Sequence, residues 1–143
     1  MPADSSTKEP AEEKVSILIV DDRPDKLLGY ETILDELHEN VVRANSGKEA
    51  LRCLLQQDFA VILLDVNMPG MDGFETAALI RQRQRSETTP IIFISAVNDT
   101  ETHVSRGYSI GAVDYILTPV VPEILRAKIA VFVDLFKKTE QVK

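Results

Sequence analysis

The chain predicts an α/β fold in which five short strands alternate with five helices around a doubly wound parallel sheet. Ser16–Val20, Phe59–Leu64 and Ile91–Ile94 are short apolar runs, as strands buried on both faces require. Between them, apolar residues recur at helical spacing. The connections are short, and such an alternation brings successive strands together in parallel. With 143 residues the chain can bury a full core as one domain, without disulfides or a structural metal.

Residues 1–14 (MPADSSTKEPAEEK) are polar and lack apolar periodicity, which is the composition of a tail or linker. The first strand, Ser16–Val20, runs into Asp21 and Asp22. Pro24 opens a helix, where its missing N–H costs nothing. Leu27, Tyr30, Ile33, Leu34 and Leu37 carry that helix to about Glu39. Val41–Ala44 is a short second strand. Ser46-x-x-Glu49 has the form of a capping box, opening a helix whose buried stripe is Ala50, Leu51, Leu54 and Leu55. Cys53 falls inside this pattern and reads as a packing residue.

The third strand ends in Asp65. Pro69, Gly70 and Gly73 turn the chain before a helix from Phe74 to about Arg85. Ile91–Ile94 ends in Ser95. A helix from Asp99 or Thr100 to about Ile110 has a poor apolar pattern, with Gly107 inside it, and is the least stable element expected. Val113–Leu117 is the fifth strand. Thr118-Pro119 follows, then a final helix from about Pro122 to Lys138. The expected domain is therefore 15–138, with 139–143 a C-terminal tail.

The net charge of −7, from 23 acidic and 16 basic side chains, argues against direct nucleic-acid binding, which needs a concentrated basic face. No apolar run is long enough to span a bilayer and no signal-peptide pattern is present, so no direct membrane contact is expected. A single cysteine suits a reducing compartment. The expectation is a soluble, cytoplasmic domain.

Open α/β sheets place ligands at the carboxyl ends of their strands. Asp21 and Asp22 end the first strand and Asp65 ends the third, which is its neighbour in a doubly wound sheet. Three carboxylates then converge in one shallow cleft. Like charges at that range raise one another's proton affinity. An all-oxygen set suits Mg²⁺, which keeps several waters and is often shared with a phosphate; histidine and cysteine ligands for zinc are missing from the cluster. Taken alone, Asp21 and Asp22 could simply cap the helix at Pro24, and Asp65 the loop behind it. Their convergence favours a site.

Four motifs then carry a resemblance: V20-D21-D22, L64-D65-x-x-M68-P69-G70-M71-D72-G73, Ser95-Ala96, and G111-A112-V113-D114-Y115 ahead of a proline. Over about Val15 to Lys138 the chain resembles the receiver domain of two-component response regulators (CheY-like), including the receiver modules of hybrid histidine kinases. The resemblance implies a flavodoxin-like sheet of order 2-1-3-4-5 and a phosphoryl-accepting aspartate at Asp65. It implies Mg²⁺ held by Asp22, Asp65 and the backbone carbonyl of Asn67, with Asp21 holding an aqua ligand. Ser95 matches the hydroxyl that hydrogen-bonds the phosphoryl group, and Tyr115 the aromatic that turns inward when that bond forms. The implied partner is a histidine kinase or phosphotransfer protein.

One position departs from the family. The lysine expected before the final-strand proline is Thr118, which cannot carry its charge. Lys128 and Lys137, on the last helix, lie too far away in the expected fold to replace it. Two readings therefore stand: a phosphorylatable receiver, and a degenerate receiver acting as a protein-interaction or dimerisation module. A phosphohydrolase with an aspartyl nucleophile is disfavoured, because Asn67 stands where its second carboxylate is needed. The Thr118-Pro119 bond matches one that is often cis in the family. The last helix carries Ile124, Leu125, Ile129, Val131, Phe132, Val133, Leu135 and Phe136, more than one core face uses. The region 100–138 is thus expected to bind another copy or an adjoining module, unless the excess packs on the neighbouring helix.

Overall fold

Strands β1 (Ser16–Val20), β2 (Asn40–Ala44), β3 (Val61–Asp65), β4 (Ile91–Ser95) and β5 (Asp114–Leu117) form one parallel sheet in the order β2-β1-β3-β4-β5. This is the expected 2-1-3-4-5 topology, in a computed structural model describing residues 13–96, 105–106, 108–112 and 114–142. Helices α1 (Pro24–Leu34), α2 (Gly47–Gln56), α3 (Gly73–Gln82) and α4 (Pro122–Val142) cover its two faces.

Strand side chains alternate faces, and here both faces are apolar. Leu18, Val20, Ile62, Leu64, Ile91 and Phe93 pack beneath α2 and α3, with Ala50, Leu54, Phe74 and Ile80. Ile17, Ile19, Val61, Leu63, Ile92 and Ile94 pack beneath α1 and α4, with Leu27, Leu34, Leu125 and Ile129. Val20 pairs with Leu64, Asp65 with Ile94, and Ser95 with Leu117. That register brings the carboxyl ends of four strands to one rim.

Several boundaries differ from the expected ones, each for a local reason. Helix α1 stops at Leu34 rather than near Glu39. A 3₁₀ turn, Asp35–Leu37, follows it, and His38 takes a left-handed conformation (φ 56°). Helix α3 stops at Gln82 rather than Arg85; the chain tightens into a 3₁₀ turn at Gln84–Ser86, and the Ser86 hydroxyl donates to the Ile80 carbonyl. Leu55 is 65% exposed rather than part of the buried stripe. Gly47, Ala50 and Leu54 define the buried face, and Leu55 lies a further 100° around the helix. Helix α4 continues to Val142, because neither glycine nor proline interrupts it after Lys138.

The predicted capping box at Ser46 is only half formed. Glu49 N–H donates to Ser46 Oγ (3.1 Å), but Glu49 Oε1 accepts from Asn45 N–H (2.6 Å). A complete box opens α3 instead, where Glu75 N–H donates to Asp72 Oδ1 (2.8 Å) and Asp72 N–H donates to Glu75 Oε1 (2.9 Å). Residues 105–106 and 108–110 are helical. The expected start of that helix near Thr100, Gly107 within it, and Val113 at the head of the fifth strand lie outside the described residues.

Candidate functional site

Asp21 follows β1 directly, and its N–H still bonds to the Ala44 carbonyl (3.1 Å) as if the strand continued. Asp65 is the last residue of β3. By strand alternation both share the parity of Ile19 and Leu63, the face covered by α1. One carboxylate oxygen from each of Asp21, Asp22 and Asp65 lies within 4.8 Å of the others. Asp21 is fully buried, Asp65 is 6% exposed and Asp22 is half-buried.

Burial raises the Asp21 carboxyl above its usual range, against the pull of the Arg23 N–H, which donates to Oδ1 (3.0 Å). Its other oxygen, Oδ2, is buried with no hydrogen-bond partner among the described residues. Burial, and then the neighbouring Asp21 charge, push Asp65 up to about 7; the Lys26 charge and the Asn67 N–H pull it the other way. A buried, unpartnered carboxylate oxygen beside two more carboxylates is a polar group left wanting a cation. Hard oxygens only, with water access at half-buried Asp22, fit Mg²⁺.

The loop beyond Asp65 is held tightly. Val66 N–H bonds to the Ile94 carbonyl (3.0 Å), and Gly73 N–H bonds back to the Val66 carbonyl (2.9 Å). A side chain at Gly73 would strike the Asp65 carbonyl oxygen and come within 2.8 Å of Val66 Cα. The glycine is therefore what lets α3 begin directly against the end of β3. Asn67 is exposed, with its N–H turned to the Asp65 carboxylate.

On the opposite parity, Ser95 and Tyr115 share a face with Phe93. The Tyr115 ring packs on Phe93 (centroids 6.0 Å apart), and Phe93 packs on Phe74 (5.0 Å). The Ser95 Oγ and Tyr115 Oη atoms are buried, and neither completes a hydrogen bond of acceptable geometry with a described residue. They are nonetheless close enough that the serine hydroxyl opposes the rise which burial imposes on the phenol. Tyr115 therefore has its hydroxyl turned inward.

Thr118 N–H bonds to the Ser95 carbonyl (2.9 Å), and the Thr118-Pro119 bond is cis. The threonine shares an open hollow with Lys26, Tyr30, Ile33 and Pro119. Lys128 and Lys137 are engaged elsewhere, with Asp114 (2.6 Å) and Glu39 (2.8 Å). Sequence reasoning missed Lys26, one turn past the acidic pair. The spacing of Lys26 and Tyr30, four residues apart on one face of α1, was the available signal.

The family model for the response regulator receiver domain matches residues 17–130. The chain belongs to this family. Receiver domains work in phosphorylation-based signalling, and this one keeps the family's acidic cluster. The receiver is 37% identical over 114 residues to the transcriptional regulatory protein AfsQ1 of Streptomyces coelicolor, covering 80% of this chain and 49% of that protein. It is 35% identical over 114 residues to a Vibrio cholerae protein named "Probable cyclic di-GMP phosphodiesterase", covering 80% of this chain and 25% of that one. The chain thus spans between a quarter and half of these curated relatives.

Among solved structures, the receiver superposes on the Vibrio cholerae chemotaxis protein CheY4 with a TM-score of 0.78 and 28% identity, covering 84% of this chain and 99% of that one. The receiver domain of a signal transduction histidine kinase from Syntrophus aciditrophicus gives 0.76 and 28%, with 84% and 90% covered. No helix among the described residues is long and apolar enough to cross a membrane.

Proposed function

We propose that this receiver takes a phosphoryl group onto Asp65 from a histidine kinase or phosphotransfer protein, in a reaction that needs Mg²⁺. The observation that carries the reading is Asp65 itself: a buried carboxylate at the sheet rim, facing two other carboxylates, one of them with an unpartnered oxygen. Asp22, Asp65 and the Asn67 carbonyl would hold the ion, and Asp21 a water on it. When bound, Mg²⁺ neutralises charge on the phosphoryl oxygens and on the acidic cluster.

The carboxylate oxygen of Asp65 forms the new bond to phosphorus. The bond from phosphorus to the donor breaks in line, its electron pair leaving with the donor nitrogen, which takes a proton, or with acetate when acetyl phosphate is the donor. The product is an acyl phosphate. Ser95, at the end of the next strand, would donate a hydrogen bond to the phosphoryl group, and Tyr115, packed inward beside it, would report that bond to the surface.

A second reading has one specific observation in its favour. Thr118 leaves the strand-end position without a cation, as expected of a degenerate receiver that works by protein contacts alone. The exposed Ile124, Val131 and Leu135 of α4 supply a surface on which a second copy or an adjoining module could bind. One experiment separates the readings. With Mg²⁺ and acetyl phosphate, wild-type protein should gain one phosphoryl group, about 80 Da by intact mass, and Asp65→Asn none. No adduct at high donor concentration and short times would leave the interaction module as the function.

A further inference from the structure

Three carboxylates at one strand rim call for positive charge near the accepting oxygen, and Thr118 cannot supply it. Arg23, beside the acidic pair, is engaged with Asp25 (3.3 Å), while Lys128 and Lys137 pair with Asp114 (2.6 Å) and Glu39 (2.8 Å) at the amino ends of the strands, away from the rim. Lys26 is different. It is half-buried, its ammonium makes no hydrogen bond or close ion pair with a described residue, and it lines the hollow that Thr118 also lines. One turn further along, Tyr30 is buried in the core on that face, which fixes α1 against the sheet.

We propose that Lys26 supplies, from helix α1 rather than from the strand end, the positive charge that faces the Asp65 carboxylate and the phosphoryl group it receives. The inference rests on reading Asp65 as the phosphoacceptor. Strand alternation puts Asp21, Asp65 and Thr118 on the sheet face of Ile19, Leu63 and Ile116, which α1 covers, and Lys26 lies in the first turn of that helix, in one hollow with Thr118. A flexible four-carbon stem lets the ammonium follow the charge as it builds on the phosphoryl oxygens. The same positive charge must also repel a divalent ion at the cluster. Lys26 therefore has opposite effects on the two ligands, speeding phosphoryl transfer and weakening Mg²⁺ binding.

That opposition sets the test. Lys26→Gln should slow labelling by acetyl phosphate about tenfold and tighten Mg²⁺ binding about three- to tenfold, measured by calorimetry on unphosphorylated protein. A merely structural lesion would weaken both. Lys26→Arg, which keeps the charge, should stay close to wild type in both measurements. Thr118→Lys should add little to wild type but restore most of the labelling rate to Lys26→Gln, a non-additivity expected only if both positions serve one carboxylate. Labelling of Lys26→Gln at the wild-type rate, or Mg²⁺ affinity unchanged or reduced, overturns the proposal. If wild-type protein takes no phosphoryl group at all, the phosphoacceptor reading falls, and the Mg²⁺ comparison by itself decides whether Lys26 is the charge at the cluster.

Discussion

Metal-free receiver should lose stability as pH rises, and Asp65→Asn should abolish most of that loss. Asp65 titrates at about 7 in the folded chain against 3.8 for the free side chain. Below about pH 4 the carboxyl is protonated in both folded and unfolded chains and contributes no difference. Between 4 and 7 the unfolded chain releases the proton and the folded chain keeps it. The folded state then binds more protons, so unfolding free energy falls with rising pH. Above 7 both forms are ionised and the full penalty of about 4 kcal/mol is present. Burial is its larger cause and the Asp21 charge the next.

The assay is urea unfolding in a chelator at half-unit steps from pH 4.5 to 8.5, for wild type and Asp65→Asn. The amide keeps the shape and removes the charge. The variant should already be more stable than wild type by about 1 kcal/mol at pH 4.5, and the gap should grow to roughly 2–4 kcal/mol at pH 8, the lower figure allowing for proton sharing with Asp21. Millimolar Mg²⁺ should stabilise wild type at pH 8 and leave the variant nearly unmoved, because a ligand stabilises only the state that holds it. A stability difference between the two proteins that does not grow with pH would show that the folded site already holds Asp65 ionised at no cost, and the account of the cluster would be wrong.

Gly73→Ala should destabilise by about 2–3 kcal/mol and weaken Mg²⁺ binding, because the added methyl meets backbone at Asp65 and Val66 that cannot swing aside. Gly29→Ala, in exposed α1 with nothing within 4 Å of the added Cβ, should instead stabilise by about 0.5–1 kcal/mol. Urea midpoints read both, and equal effects would refute the packing argument. On α4, Val131 and Leu135 are 61% and 55% exposed while Phe132 and Phe136 pack inward. Wild type should therefore self-associate weakly toward millimolar concentration and Val131→Glu/Leu135→Glu should not; a sharp monomer for both in sedimentation would assign the stripe no such role.

The architecture was legible because it rests on strong, repeated signals. Doubly apolar runs admit few placements other than a covered parallel sheet, and each run of this kind in the sequence became a strand. The carboxylates were legible because strand ends are fixed once the strands are. Helix ends were less so. His38 ends the first helical segment by adopting a left-handed backbone, and Ser86 draws the Ile80 carbonyl into a 3₁₀ turn; neither residue disturbs the apolar period. The two capping patterns, Ser46-x-x-Glu49 and Asp72-x-x-Glu75, look alike in sequence. At Ser46 the backbone is almost fully extended (φ −162°, ψ 165°), and Glu49 reaches the preceding amide instead. At Asp72 the backbone (φ −79°, ψ 179°) keeps its own N–H within reach. A pattern of residue types does not encode that difference.

The location of the charge opposite Asp65 is a different kind of gap, because the information was present but was sought along the wrong axis. A motif is read along the chain, so a missing lysine before Pro119 reads as a missing function. Electrostatic complementation acts across space, and the relevant coordinate is the face of the sheet. Strand alternation gives Asp21, Asp65 and Thr118 the parity of Ile19, Leu63 and Ile116, all of which pack under α1 and α4. Any cation on that face near the rim can serve the cluster. Helix α1 leaves the rim immediately after the acidic pair, so its first turns lie closer than any part of α4 except its start, and that start carries Glu123 rather than a base. Lys26 is the basic residue in those turns not already paired with a carboxylate. A threonine at the strand end is therefore compatible with an active receiver, provided the charge is supplied from the helix that covers the same face.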